Sequence, residues 1–391
     1  MEINNDLLST ILSGDSSSSS KLVILDWNVE KNIIALGNNS SSELSRLTVE
    51  YQKKGKTFKK SFILKIPSAH PMYDIGTQWK MYEKEYPMYT EVLEEMYKLD
   101  GEHIGAKLYY TDDKHSLVMK DLSSSGYKMV DRIKQLDFHQ CYTVLKSLAK
   151  FHALSVKLDQ HSKISPAIKR PAWPGDAVLE GQLKMHLNYS CVEFAKIIDP
   201  EFGLYEKVLR MKDDLCDRIR EEVISDQFKF KVLNHGDCWL GNMLFKFDKY
   251  GNVAKVKLID YQYSSWASPA FDILCFTMGS MQFEVFEKHF DVLMETYIEA
   301  LNNTLKFYQC GSYSLQELNR DMDNLRATAI LIMCSHLPQI LSSHEEPIDY
   351  QRFVNNGNVD IEYYGTFFKN EIYSKVVNQW ISYYVKKGLF D

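Results

Sequence analysis

The chain has 391 residues, 45 % hydrophobic and 25 % charged, which suits one large two-lobed unit or two domains and exceeds what a single compact core holds. Its 46 basic and 52 acidic residues leave a net charge of −6, with no basic run longer than a few residues, which excludes the electrostatic footprint of a duplex-DNA binder. No stretch approaches the ~18 uninterrupted apolar residues of a membrane span.

In chain order, residues 1–21 read as a short helix followed by a serine run, Ser16–Ser20, expected to be a surface loop. Neither a basic leader nor a long apolar core is present there, so no signal peptide is expected. Three antiparallel strands follow. They are centred on Ile33-Ile34-Ala35-Leu36, on Leu44 to Tyr51 and on Ser61 to Ile66, with a hairpin turn at Lys53–Lys56 around Gly55. The stretch 76–98 has helical spacing, with Trp79, Tyr82, Tyr86, Tyr89, Val92 and Met96 on one broad face. Two more strands, 106–110 and 116–119, complete five strands with one helix between the third and fourth. After Asp121 the pattern is mainly helical. Helices are expected at 137–158, 176–198, 203–226, 284–308, 316–342 and 371–386, interrupted by a strand-loop-strand region at 231–263. The seven cysteines are widely spaced, odd in number and free of any C-x-x-C pair, as expected of reduced thiols in a cytosolic protein.

The chemistry concentrates in two segments. Val232-Leu233-Asn234-His235-Gly236-Asp237 is an apolar strand running into H-x-D, with Asn242 five residues beyond the Asp. Downstream, Val256-Lys257-Leu258-Ile259 delivers Asp260 at a strand end. Phosphoryl transfer needs positioning and charge neutralisation more than covalent help. A carboxylate such as Asp237 can orient an acceptor hydroxyl and take its proton. Asn242 and Asp260 supply the hard oxygens that Mg²⁺ prefers. His235 is better suited to orienting the loop than to acting as a base. Lys65, the one charge within an apolar strand, needs a partner or ligand. Glu85 on the next helix is the expected partner and nucleotide phosphates the expected ligand. Gly37 to Ser42 would close over the phosphates with backbone N–H groups. Gly55-Lys56-Thr57 resembles the end of a P-loop, but Glu50 stands where that motif requires glycine, so it is a hairpin turn.

These segments resemble the ecdysteroid kinase-like (CHK kinase-like) family of the aminoglycoside/choline-kinase-type phosphotransferases. The likeness rests on Leu233 to Met243, Leu258 to Tyr263 and Ala267 to Ile273. Tyr82 to Tyr89, Leu117 to Leu122, Leu148 to Ala153 and Gly37 to Ser42 with Arg46 to Val49 extend it over about residues 30–285. It implies an α+β, two-lobed protein-kinase-like fold: an N-terminal lobe 1–118 with five antiparallel strands, one helix and a phosphate loop 37–45; a hinge 119–124; and a helical lobe 125–391 carrying catalytic loop 233–245, Asp260 and the acceptor pocket. It implies ATP and Mg²⁺ as cofactors, Asp237 as catalytic base, and Asn242 with Asp260 on the metal. Lys65 would contact phosphates and pair with Glu85, Gly37 and Ser42 would flank the phosphates, and Met119, Asp121 and Leu122 would border adenine. Asp272 would brace the catalytic loop. Lys120 stands where an acidic residue is expected, and Cys238, Leu240 and Gly241 are unusual inside the loop.

The expected activity is phosphorylation of a hydroxyl on an ecdysteroid-like or other lipophilic hydroxylated acceptor, serving hormone inactivation or xenobiotic detoxification. A choline/ethanolamine-type kinase and a non-catalytic nucleotide- or hormone-binding module remain open alternatives. A cytoplasmic monomer with a small-molecule partner, no nucleic acid and no membrane span is expected. The acceptor pocket is expected between Asp237 and helices of 165–226 and 316–342, with residues 264–269 at its rim.

Overall fold

A computed structural model describes residues 2–14, 22–31, 33, 42–67, 80–112, 115–171, 173, 177–342, 354–355 and 358–390. Its N-terminal part is one five-stranded antiparallel sheet. The strands are β1 (Leu22–Lys31), β2 (Ser42–Lys53), β3 (Lys56–Pro67), β4 (Leu108–Thr111) and β5 (Leu117–Lys120), in spatial order β1-β2-β3-β5-β4. The first described strand is Leu22–Lys31, which the sequence did not announce; of the expected run Ile33 to Leu36, residues 34–36 lie outside the described residues. Leu22-Val23-Ile24-Leu25 is rich in strand formers, but Asp26 and Asn28 interrupt it and obscure its period. A bulge between Ile24 and Asp26 further breaks the alternation.

The β2–β3 turn is the expected hairpin. Lys53 faces Lys56, and both intervening residues, Lys54 and Gly55, adopt positive φ (51° and 74°), as a two-residue turn matched to strand twist demands. Period 2 then sorts β3. Phe62 and Leu64 point to one face of the sheet, where α1 (Asn5–Ser13) covers them. Lys65 points to the opposite face, toward the helix that follows. Helix α1 is capped by Asn4, whose side chain accepts from Leu7 N at 3.0 Å. Its Leu7, Leu8, Ile11 and Leu12 pack with Leu47, Val49, Phe62, Leu64 and Val118 into a small core separate from the main one.

The helix on the inner face runs as α2 (Met81–Pro87), a π-helical turn Met88–Val92 and α3 (Leu93–Asp100). Pro87 offers no N–H and crowds the preceding turn, which accounts for the widened turn immediately after it. Tyr82, Tyr89, Val92 and Met96 are buried as the spacing predicts, Tyr86 is half-buried, and Trp79 lies outside the described residues.

Beyond β5 the fold is mainly helical. Helix α4 (Phe138–Gln160) starts at a capping box of Asp137 and Gln140 and packs along α10 (Phe283–Phe307). Between them in sequence come α5 (Pro166–Lys169), α6 (Ala177–Ile197), α7 (Tyr205–Met211), α8 (Leu215–Ile224) and α9 (Ala270–Ser280). The expected 203–226 helix is thus broken into α7 and α8, and α9 was not anticipated from the sequence. Two short sheets carry the functional loops: β7 (Val232–Asn234) with β10 (Ser265–Ala267), and β6 (Tyr127–Lys128) with β8 (Met243–Phe247) and β9 (Val253–Leu258). The C-terminal helices are α11 (Leu315–Asp323), α12 (Arg326–Leu331), a π-helical turn Ile332–His336, α13 (Leu337–Ile340), α14 (Ile361–Phe368) and α15 (Glu371–Lys386). All seven cysteines are free thiols, six of them buried. Among the described residues no helix is long and apolar enough to cross a membrane.

The docking of α1 is testable. Leu8 is fully buried between α1 and the sheet, so Leu8→Ala is expected to cost about 2–5 kcal/mol, read as a lower urea midpoint at unchanged slope. No shift in midpoint would show that α1 is not part of the N-terminal core.

Candidate active site

Two local devices bring the predicted residues together. First, β8 and β9 form a hairpin whose ends pair Met243 with Leu258. Asn242 and Ile259 therefore meet across the ladder, Ile259 N donating to the Asn242 carbonyl at 3.0 Å. The spacing of the two sequence segments is what sets Asn242 beside Asp260. Second, β7 ends at Asn234 and the chain turns sharply at Gly236, which has φ 84°. A Cβ on Gly236 would lie 2.0 Å from the Tyr263 carbonyl oxygen, so both its conformation and its surroundings require glycine.

That turn is held from below. Asp272, at the start of α9, accepts from His235 N (2.6 Å) and Gly236 N (2.9 Å). Its Oδ2 also meets His152 Nε2 at 3.0 Å, and His152 Nδ1 meets Tyr297 OH at 2.8 Å. His235 Nε2 lies 2.9 Å from the Ile259 carbonyl, and its Nδ1 receives the Asp237 N–H at 3.3 Å. Those partners fix the neutral tautomer with the proton on Nε2, and burial lowers the His235 pKa in the same sense. His235 thus connects the segments bearing Asp237 and Asp260, as a scaffold residue.

Asn242 Nδ2 donates to Asp237 Oδ2 at 2.8 Å and to the Asp237 carbonyl at 3.0 Å. Among the described residues its amide oxygen has no hydrogen-bond partner. Asp260 sits at φ 69°, an unusual conformation for a non-glycine residue and one that clusters at functional sites. Burial, reinforced by the Asp260 charge, pushes the Asp237 carboxyl up to about 7.

The sheet supplies the cation. Lys65 Nζ donates to Glu85 Oε1 at 2.6 Å and to Asp260 Oδ1 at 2.5 Å, with Lys65 only 6 % exposed. Burial alone would lower its pKa, but the charges of Asp260 and Glu85 outweigh it and raise it. Glu85 moves upward too, first through burial and then through the facing Asp260, because one ammonium is divided between two carboxylates. Lys84, next to Glu85, is also buried. It donates to the carbonyls of Arg170 and Ser264, both at 2.7 Å.

After β5, Asp121 is committed to structure. Its side chain accepts from Arg46 Nε at 3.0 Å and from Ser123 N and Oγ at 3.0 and 2.6 Å. Burial would raise its pKa, but these hydrogen bonds and that of Ser61 bring it lower. The Leu122 carbonyl is taken by Ser125 N and Tyr127 N, whereas the N–H of this buried residue has no acceptor among the described residues. Met119 is buried in β5 opposite Ile63. Ser42 opens β2, paired with Pro67, and Gly37 with the rest of the expected phosphate loop lies outside the described residues.

Sequence reasoning gave no role to His152, Tyr297, Asn234 or Lys84. The available signals were a histidine in the apolar stripe of α4 and a second lysine beside Glu85. It also marked Gly241 as unusual, and the structure explains it: the Trp239 ring lies against this position, with Cη2 2.3 Å from where a Cβ would be. Among the described residues no group of three or more His, Cys, Asp or Glu could hold a metal ion. A cavity of about 560 Å³ near Phe202 and Asn378 contains none of the site residues.

The ecdysteroid kinase-like family profile matches residues 36–310, more than half of the chain. The chain belongs to the ecdysteroid kinase-like family. Family membership assigns it to the small-molecule kinases, and the sheet-plus-helices architecture carrying this cluster is kinase-like. A choline/ethanolamine kinase family protein from Mesorhizobium loti, known from its crystal structure, is 10 % identical over 90 % of this chain and 92 % of that one, at a TM-score of 0.38. That likeness is too distant to bear on fold or function. No curated protein matches the chain.

The Gly236 turn gives a direct test. Gly236→Ala is expected to destabilise the protein by at least about 1–3 kcal/mol from backbone strain, with the clash added. Differential scanning fluorimetry showing an unchanged Tm would mean that the turn is not built as described.

Proposed function

We propose that this chain transfers the γ-phosphate of ATP, in the presence of Mg²⁺, to a hydroxyl of a lipophilic hydroxylated small molecule, of which an ecdysteroid is the leading type. The observation that carries the reading is the convergence of Lys65, Glu85, Asp260, Asn242 and Asp237 from both lobes. One ammonium and three carboxylates, all ionised, leave a formal charge of −2, which matches a divalent cation. The Asp237 pKa rises first through burial and then through the Asp260 charge that faces it.

In this reading Asp237 orients the acceptor hydroxyl and takes its proton, while Asn242 fixes the Asp237 carboxylate through Nδ2 and turns its own oxygen to the metal. Asp260 provides the second metal oxygen. Two protein ligands are enough for Mg²⁺, which usually keeps waters and substrate phosphates in its remaining positions. Mg²⁺ bound there would supply charge neutralisation for the transferred phosphoryl group. Lys65 reaches the nucleotide phosphates while Glu85 keeps it extended. The Leu122 N–H, which has no acceptor among the described residues, is suited to donate to the adenine edge, and residues 119–124 then act as the hinge between lobes 1–118 and 125–391. Asp272 and His235 hold the Asp237 turn rigid, so that little reorganisation accompanies the reaction. Hormone inactivation or xenobiotic detoxification in the cytoplasm is the corresponding physiological role.

The reading is tested with Mg-ATP, a mixed panel of ecdysteroids, other hydroxylated lipophiles, choline, ethanolamine and aminoglycosides, and mass spectrometry. A phosphate-sized mass gain on an ecdysteroid-like or lipophilic acceptor is expected. Asp237→Asn should lower turnover by about two to four orders of magnitude while ATP binding, measured by calorimetry, persists. Gain on choline alone would transfer the assignment to the choline-type alternative. ATP binding with no gain on any acceptor would favour a binding module.

A further inference from the structure

Lys84 is a buried amine that the proposed chemistry leaves unused, its pKa lowered to about 7 by burial and by the nearby Arg170 charge. It is 4 % exposed, and among the described residues its hydrogen-bond partners are two carbonyls, with no carboxylate. An ammonium withdrawn from water on those terms is costly unless its geometry serves a purpose. Its partners are informative. Arg170 follows α5 in the helical lobe, and its guanidinium separately meets Glu83 at 2.9 Å. Ser264 lies four residues beyond Asp260, immediately before β10, and its Oγ donates to the His235 carbonyl at 3.4 Å. Strand β10 in turn pairs with β7, the strand that leads into His235 and Asp237. The neighbouring Glu85 meanwhile holds Lys65 and, through it, Asp260. Adjacent residues of one N-terminal helix thus grip both flanks of the Asp260 segment.

We propose that Lys84 is a positioning residue that locks the α2 helix to the Ser264 segment and the Arg170 loop, setting the registry between the two lobes for phosphoryl transfer. The role rests on the kinase reading for its consequence and on main-chain geometry for its existence. Two neutral carbonyls from segments remote in sequence converge on one Nζ, so the contact forms only when all three segments are in place. Lys84 touches no reacting atom. It acts through the placement of Asp260 and of the 264–269 rim.

The experiment compares wild type, Lys84→Met, Lys84→Arg and, as a check on the exposed ion pair, Glu83→Gln. Amide hydrogen exchange followed by mass spectrometry is read in peptides covering 163–171 and 260–268, with 283–307 as an internal reference. Lys84→Met should raise exchange in the first two together by about tenfold or more and leave the reference unchanged. Lys84→Arg, which keeps donors on a long stem, should fall between. In phosphotransfer, Lys84→Met should lower kcat by about 10–100-fold, the scale of an ångström-sized misplacement, with ATP Kd changed by less than about threefold. Glu83→Gln should stay near wild type in both measurements. Unchanged exchange in Lys84→Met overturns the lock, whatever the enzymology. A uniform rise in all three peptides also overturns it, because that is general destabilisation. Absence of phosphotransfer in wild type overturns the kinase reading and leaves the exchange result to decide the lock.

Discussion

One ammonium held between two carboxylates organises this molecule. Lys65 comes from the sheet, Glu85 from the helix packed on it, and Asp260 from the helical lobe. Each hydrogen bond joins segments far apart in sequence. As a source of stability such a buried group is poor, because the desolvation of its charges offsets most of the Coulomb gain. Apolar side chains of similar size would serve the packing as well. The arrangement is better understood as a site that holds charge in place for a charged ligand, which is where strongly perturbed titratable groups concentrate. The strand alternation that sends Leu64 to one face and Lys65 to the other is the simplest cause of it.

The helical lobe answers with rigidity. Asp272 receives two consecutive backbone amides and a histidine, and His235 connects the Asp237 turn to the strand end before Asp260. Asp237 and Asp260 sit on loops, yet neither loop is free to wander. The Asn242–Ile259 ladder bond fixes their separation, and the Tyr263 carbonyl crowds the glycine that turns the chain. Loops positioned by a stiff scaffold are a common setting for chemistry.

How much of this was legible depended on whether the signal was local. The hairpin at Lys54-Gly55 announces itself through turn chemistry, and the H-x-D with Asn five residues on is a contiguous pattern. Lys65 was visible as a charge in an apolar run, and Glu85 as a carboxylate on the next helix. His152 and Tyr297 were not, because nothing in α4 or α10 alone reveals that their side chains meet Asp272. Lys84 was hidden because its partners are carbonyls, which every residue has. Strand β1 was not legible because Asp26, Asn28 and a bulge disrupt its alternation. Helix α9 escaped notice because it is buried almost all round and has no polar face to set a period.

The position of α1 bears on how the chain is made. Its buried face, Leu7 to Leu12, is completed by Val118 on β5. During synthesis the helix therefore emerges and lacks its full cover until more than a hundred further residues have followed. At ribosomal rates this is a wait of roughly 5–20 s. Over that interval an amphipathic segment with four large aliphatic side chains is exposed near the ribosome, a natural substrate for a holding chaperone. The sheet closes on it only when β5, which lies between β3 and β4, arrives.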